Sequence, residues 1–174
     1  GYMKIFKRAI EEKIQRLLFQ GRAILIFGPR QAGKTTLAKR LISEHEKSMY
    51  FNCEEMSVRK HFAVGEPDEL KQLIGDSRIV VFDEAQTIDN LGTILKVFID
   101  KYKDVQIIAT GSSSFDLANK INEPLTGRAF EFILYPLSIA EIRQNRETLL
   151  AREELYTYFR LGTYPAIVQD TNVE

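Results

Sequence analysis

The sequence predicts an α/β fold, in which a parallel sheet is covered by helices on both faces. Two patterns in the 174 residues support this fold class. Short apolar segments alternate with amphipathic ones along the chain, which is typical of repeated strand–helix–strand units. A glycine-rich loop at residues 28–35 separates the first apolar segment from an amphipathic one. A chain of this length can form one such domain with a sizeable core.

The first predicted elements are a helix, a strand and a second helix. Residues 6–20 place four apolar side chains on one helical face, and Gly21 is a typical residue for ending that helix. Residues 22–27 are almost continuously apolar, as expected for a strand that is buried on both faces. After the glycine-rich loop, apolar side chains recur with helical spacing up to about residue 44.

The remaining predicted elements continue this alternation. Four further apolar runs predict strands at 48–53, 78–82, 105–110 and 130–134. Helical segments are predicted at 54–75 (broken near Gly65 and Pro67), at 91–102, at 115–121, after an N-cap at Ser138, and at 151–161.

Residues 28–35 match G-x-x-x-x-G-K-[ST], the phosphate-binding P-loop. Glycines let consecutive backbone N–H groups turn inward, where they form a concave site for an anion. Lys34 is expected to reach the β- and γ-phosphates of a nucleotide, and the Thr35 hydroxyl to hold Mg²⁺. An ordinary glycine-rich turn is the alternative, but a predicted strand before the loop and a predicted helix after it favour phosphate binding. The predicted phosphate-binding residues are Gly28, Pro29, Arg30, Gln31, Ala32, Gly33, Lys34, Thr35 and Thr36.

Residues 79–84 have the Walker B pattern of four apolar residues followed by two carboxylates. The predicted strand brings Asp83 to the Mg²⁺ beside the P-loop, and Glu84 is placed to orient and polarise the attacking water. The alternative for this pair is a solvated turn, which the P-loop on a separate predicted strand disfavours. Gln86 lies in the same loop. It either transmits the nucleotide state of the site to other parts of the protein or has only a packing role.

Polar residues after the fourth predicted strand are further candidates. Ser112 is the first choice, and Thr110 the second, for a side chain that hydrogen-bonds the γ-phosphate or the water; helix capping is the alternative for Ser112. Arg128 is a candidate arginine finger, acting in cis or across a subunit interface, or else it pairs with a surface carboxylate. Arg30 either contacts a phosphate or faces solvent.

Composition excludes several classes of function. Lys plus Arg and Asp plus Glu both number 24, so the net charge is zero and nucleic acid is not indicated as a partner. The single cysteine, Cys53, suits a reducing compartment, and we expect the protein to be cytoplasmic. No apolar run approaches the ~20 residues of a membrane span. The segment 119–122, Asn-Lys-Ile-Asn, lacks the final Asp of the guanine-reading N-K-x-D motif, so GTP is disfavoured.

Taken together, these segments resemble the AAA+ superfamily ATPases of bacteria and archaea, in particular members whose C-terminal half carries a nuclease-like domain. The similarity lies in residues 28–36, 83–86, 110–113, 125–128 and 135–138. It implies ATP as the nucleotide, a strand order of 5-1-4-3-2, and Ser112 in a sensor position that is more often Asn. It also implies that the protein continues into a helical or winged-helix region and then the nuclease-like domain.

The leading hypothesis is therefore a Mg²⁺-dependent ATPase module of the three-layer P-loop NTPase class, which binds ATP and ADP and couples nucleotide state to a partner or a following domain. The alternative is a nucleotide-gated binding switch with little or no turnover. A homo-oligomer or an unknown protein is the expected partner. We expect residues 1–2 to be a cloning remnant and 3–160 the ATPase domain. Residues 161–174 are expected to begin a linker or a further domain, with a packed C-terminal tail as the alternative.

Overall fold

A computed structural model describes residues 2–63, 65–112, 121 and 124–134. The predicted helices at 115–121 (apart from residue 121), after Ser138 and at 151–161 lie outside the described residues, as does the segment 161–174. Within the described residues, the five predicted strands and the predicted helices between them are confirmed, with ends that differ by a few residues.

The helices and strands alternate along the chain as expected for strand–helix units. The helices are α1 (Tyr2–Leu17), α2 (Lys34–Ser43), α3 (Met56–Phe62), α4 (Pro67–Ile74) and α5 (Leu91–Lys101), with a short 3₁₀ turn at Ala85–Thr87. The strands are β1 (Ala23–Phe27), β2 (Ser48–Asn52), β3 (Ile79–Asp83), β4 (Gln106–Gly111) and β5 (Ala129–Ile133). Pro67 occupies the first turn of α4, where its missing N–H costs nothing, and Glu66 and Glu69 form a capping box there.

The five strands form one sheet in the order β5-β1-β4-β3-β2, and each neighbouring pair is parallel. This is the order 5-1-4-3-2 that the resemblance implies. Parallel neighbours need a crossover that usually contains a helix, which the intervening helices supply. All carboxyl ends of the strands therefore lie at one edge of the sheet.

Two apolar clusters cover the two faces of the sheet, which makes a three-layer architecture. Alternate residues of β1 belong to different clusters, because successive side chains of a strand point to opposite faces. Ile24 and Ile26 pack with residues of α1 and α2, whereas Leu25 packs with residues of α3, α4 and α5. Strands β1, β3 and β4 are buried almost throughout, in agreement with their mainly apolar sequences. No helix within the described ranges is long and apolar enough to cross a membrane.

Gly28, the first residue after β1, is enclosed by the ends of the two neighbouring strands, β4 and β5. Its N–H donates to the Gly111 carbonyl oxygen at 3.1 Å, and a Cβ at this position would overlap the backbone oxygen of Leu134. Leu134 is itself held by an N–H bond to the Phe27 carbonyl oxygen at 2.5 Å, so it has little freedom to move away. The first glycine of the motif is therefore required by the packing of the sheet as well as by the loop.

We expect Gly28→Ala to lower the free energy of unfolding by about 3 kcal/mol, at the upper end for overpacking, because the methyl group meets backbone atoms. Urea denaturation measures this loss. The matched control is Gly21→Ala, where a Cβ has nothing within 4 Å and the positive φ of +75° costs about 1 kcal/mol. Equal losses in the two variants would contradict the steric explanation.

Candidate functional site

The phosphate loop connects β1 to α2 through a backbone that favours glycine. Gln31 has a φ of +65°, and Gly33, the N-cap of α2, has a φ of +92°. The first N–H groups of α2 have no partner within the helix, so they are available to an anion at this end. The loop thus has the backbone features that the sequence motif predicts.

The Lys34 ammonium group is folded back into the phosphate loop. Its Nζ donates to the carbonyl oxygens of Gly28 at 2.7 Å and Pro29 at 2.9 Å, and the residue is only 4% exposed. Burial lowers the pKa of Lys34, and the negative charges of Glu84 and Asp83 oppose that shift. A buried ammonium at the start of a helix gives the loop a strong attraction for phosphate.

The Asp83 carboxylate, at the end of β3, accepts hydrogen bonds from three hydroxyl groups. Thr35 donates to Oδ2 at 2.8 Å, and Tyr50 donates to the same oxygen at 2.5 Å. Thr110, at the end of β4, donates to Oδ1 at 2.5 Å. Asp83 is 4% exposed, so these bonds replace the water that it has lost.

Glu84 follows Asp83 with a left-handed backbone, at a φ of +54°, and this turns its side chain toward the phosphate loop. Its Oε1 lies 3.8 Å from Lys34 Nζ, and its Oε2 accepts a hydrogen bond from Gln86 Nε2 at 2.6 Å. The backbone N–H of Glu84 donates to the Thr110 hydroxyl at 3.1 Å. The strained conformation is thus held by contacts on several sides.

The two polar candidates on β4 and just after it have different contacts. Thr110, the second choice from the sequence, bonds both Asp83 and the backbone of Glu84. Ser112, the first choice, accepts a hydrogen bond from Gln86 Nε2 at 3.2 Å. Gln86 therefore connects Glu84 to Ser112 through its side-chain amide.

The two arginines lie apart from this cluster. Arg30 pairs with Glu54 at 3.1 Å, and its side chain is 78% exposed. Arg128 makes a two-point contact with Asp100, through Nε to Oδ1 and Nη2 to Oδ2, each at 3.0 Å. It precedes β5, at the amino-terminal edge of the sheet, whereas the phosphate loop lies at the carboxyl-terminal edge. An arginine finger in cis is therefore wrong for Arg128, and pairing with a surface carboxylate is what the structure has.

Sequence reasoning missed Tyr50, which reaches Asp83 from the neighbouring strand β2. Burial, followed by the hydrogen bond to Asp83, raises the pKa of the Tyr50 hydroxyl, so it is a neutral donor. The available signal was a polar side chain within the predicted strand 48–53. Cys53, which follows β2, is fully buried, and burial raises the pKa of its thiol to about 12.

The fold and these contacts define a P-loop nucleotide-binding protein, an ATPase module in which the phosphate loop faces two acidic residues at the ends of parallel strands. A family model described as an AAA domain matches residues 20–143. The chain belongs to this AAA domain family.

Two relatives have similar sequences, and both are described as uncharacterized proteins. One comes from Mycobacterium bovis and the other from Mycobacterium tuberculosis, and each is 32% identical over 141 residues. The match covers 80% of this chain and 31% of each relative. The chain therefore spans about a third of the length of these relatives, and the matches give no support to the nuclease-like domain that the resemblance implies.

Several solved structures share the fold. A DNA replication initiation factor has a TM-score of 0.57 at 15% identity, with 95% of this chain and 58% of that chain covered. A Walker-type ATPase of Pyrococcus abyssi has a TM-score of 0.55 at 18% identity, with 90% and 63% covered. A single-substitution variant of Thermotoga maritima RuvB has a TM-score of 0.51 at 17% identity, with 82% and 47% covered. These similarities establish the fold of the chain.

Proposed function

We propose that the chain binds ATP with Mg²⁺, hydrolyses it, and couples the nucleotide state to a partner or to further parts of a longer protein. The observation that carries the proposal is the arrangement of the loop residues against the two acidic residues. Thr35 lies 2.8 Å from Asp83, and the Lys34 ammonium lies 3.8 Å from Glu84. The first pair suits metal binding, and the second combines a cation for the phosphates with a carboxylate that can activate water.

The residues present fit a magnesium ion. Mg²⁺ prefers hard oxygen ligands and is usually held by one or two carboxylates together with substrate phosphates. The Thr35 hydroxyl and the Asp83 carboxylate supply such oxygens at one point, and they already contact each other. When bound there, the ion would neutralise charge on the phosphate oxygens.

Side chains and backbone groups of the protein bind the phosphates and orient the attacking water. Lys34 exchanges its bonds to the Gly28 and Pro29 carbonyl oxygens for bonds to phosphate oxygens and stabilises their charge. Glu84 accepts a hydrogen bond from the attacking water and orients it toward the γ-phosphorus. Gln86 releases or retains Glu84 according to what occupies the site, and Ser112 is its second contact. Residues 28–36 form the phosphate-binding loop, in which backbone N–H groups contact the phosphates. Pro29 has no N–H, and the Gly28 N–H is bonded to Gly111, so these two residues shape the loop.

ATP rather than GTP is proposed because the segment 119–122 lacks the Asp that reads guanine. We also propose a cytoplasmic location, which the single buried thiol fits. The partner is either another copy of the chain or an unidentified protein. The same proposal includes Arg128 as an arginine finger across a subunit interface. Within one chain the Arg128 guanidinium forms an ion pair with Asp100.

Nucleotide titration and phosphate release test the proposed function. We expect the isolated chain to bind ATP, to bind GTP more weakly, and to hydrolyse ATP more slowly than ~1 s⁻¹, the low end for typical enzymes. Omission of Mg²⁺ should stop the phosphate release. Binding without any Mg²⁺-dependent release would support the nucleotide-gated switch instead, and absence of ATP binding would reject both.

A further inference from the structure

Tyr50 contacts the predicted metal-binding carboxylate but has no part in the mechanism above. The register of the sheet explains how it reaches the site. Asn52 lies opposite Asp83, and Tyr50 lies two residues earlier on the same face of β2. Two residues of a strand span about 6.6 Å, a distance that a tyrosine side chain leaning along the strand can cover. Its hydroxyl consequently meets Asp83 Oδ2 at 2.5 Å.

The ring of Tyr50 is held in place on two sides. It packs partly buried against the apolar cluster that includes residues of α2. The Lys39 ammonium lies 4.8 Å from the centre of the ring, at a distance typical of a cation–π contact. Lys39 and Thr35 lie four residues apart on α2, and thus on the same face of the helix. The same helical face therefore carries both the Thr35 hydroxyl that bonds Asp83 and the Lys39 ammonium that lies over the Tyr50 ring.

The hydrogen bonds of Asp83 show which donor a cation would replace. A carboxylate oxygen has two lone pairs, and on Oδ2 they accept from Thr35 and from Tyr50. If an ion bound Oδ2 directly, one of these two donors would have to leave, and Thr35, whose hydroxyl oxygen would itself hold the ion, is the one that would turn away. Tyr50 then keeps its bond to Oδ2, and Thr110 keeps its bond to Oδ1. The carboxylate remains fixed at both oxygens.

We propose that Tyr50 is a positioning residue for magnesium binding, because its hydroxyl holds the Asp83 carboxylate in the orientation that the ion requires. This inference rests on the proposed function. Groups that orient metal ligands in this way typically contribute 10- to 100-fold to metal affinity. If the hydroxyl instead competed with the ion for Oδ2, its removal would raise the Mg²⁺ affinity. The direction in which Mg²⁺ affinity changes therefore decides between the two roles.

The test compares Tyr50→Phe with the parent chain. The substitution keeps the ring and its packing and removes only the hydroxyl. Mg²⁺ is titrated calorimetrically into each protein saturated with a non-hydrolysable ATP analogue, and binding of the analogue is measured separately in EDTA. We expect Mg²⁺ affinity to fall by about 10- to 100-fold, with unchanged affinity for the analogue in EDTA. In phosphate-release assays the Mg²⁺ concentration for half-maximal rate should rise, while the rate at saturating Mg²⁺ stays the same.

Tyr102→Phe is the matched control. The Tyr102 hydroxyl also donates to an aspartate, Asp68 Oδ1 at 2.7 Å, but outside the candidate site. Its removal should leave Mg²⁺ affinity unchanged. Equal or tighter Mg²⁺ binding by Tyr50→Phe, with analogue binding intact, would overturn the positioning role alone. If the parent chain fails to bind the analogue in EDTA and in Mg²⁺, the proposed function is rejected and this inference with it.

Discussion

Glu84→Gln should reduce the rate of ATP hydrolysis by about 10²- to 10⁴-fold, the usual contribution of a positioned general base. ATP affinity should be retained or should rise slightly. The amide has nearly the shape of the carboxylate, and its oxygen can still accept the hydrogen bond from Gln86 Nε2. Loss of the negative charge 3.8 Å from Lys34 Nζ removes a competitor for the ammonium group. Single-turnover phosphate release and an ATP titration measure the two quantities separately.

The control for this variant is Glu46→Gln, at an exposed position between α2 and β2. It makes the same change in charge and should leave hydrolysis and binding at parental values. Hydrolysis by Glu84→Gln at the parental rate would remove Glu84 from the mechanism. Loss of ATP binding in Glu84→Gln would instead indicate that Glu84 holds the loop together.

Lys34→Ala is expected to weaken ATP binding by at least about 100-fold, equivalent to ~3 kcal/mol from the loss of hydrogen bonds between the ammonium group and the phosphates. The side chain is almost fully buried, so water compensates poorly for its removal. Titration with a fluorescent ATP derivative measures the affinity. Thermal unfolding with and without ATP gives a second measurement, because a ligand stabilises only a protein that binds it.

Lys96→Ala, on the exposed side of α5, is the matched lysine control and should keep both the affinity and the stabilisation by ATP. Thermal unfolding of Lys34→Ala without nucleotide shows whether the variant is folded, since the carbonyl oxygens of Gly28 and Pro29 lose their donor. A folded Lys34→Ala with parental ATP affinity would contradict the assignment of residues 28–35 as the phosphate-binding loop.

For Arg128, the sequence predicts the position in the fold but not the partner of the side chain. Its place just before the fifth strand was correctly predicted, and parallel strands begin at the edge opposite the phosphate loop. The prediction that Arg128 is an arginine finger in cis depends on the residue type alone and does not use the direction of the strand. The partner carboxylate, Asp100, lies on α5 and is 28 residues away in the sequence. No local pattern indicates such a pair.

The sequence by itself determined the strands, the phosphate loop and the acidic pair. Each of these depends on residues close together in the chain: continuous apolar runs, glycines at a fixed spacing, and carboxylates directly after an apolar strand. The same spacing led to the predicted roles of Lys34, Thr35, Asp83 and Glu84.

Only the tertiary structure decided which side chains surround those residues. Tyr50 and Asp83 are 33 residues apart, and Thr110 and Asp83 are 27 apart. Their contacts require β3 to lie between β2 and β4, with a definite register on each side. Strand order and register are set by the packing of the whole sheet and its helices, because a slip of one residue would move every side chain to the opposite face.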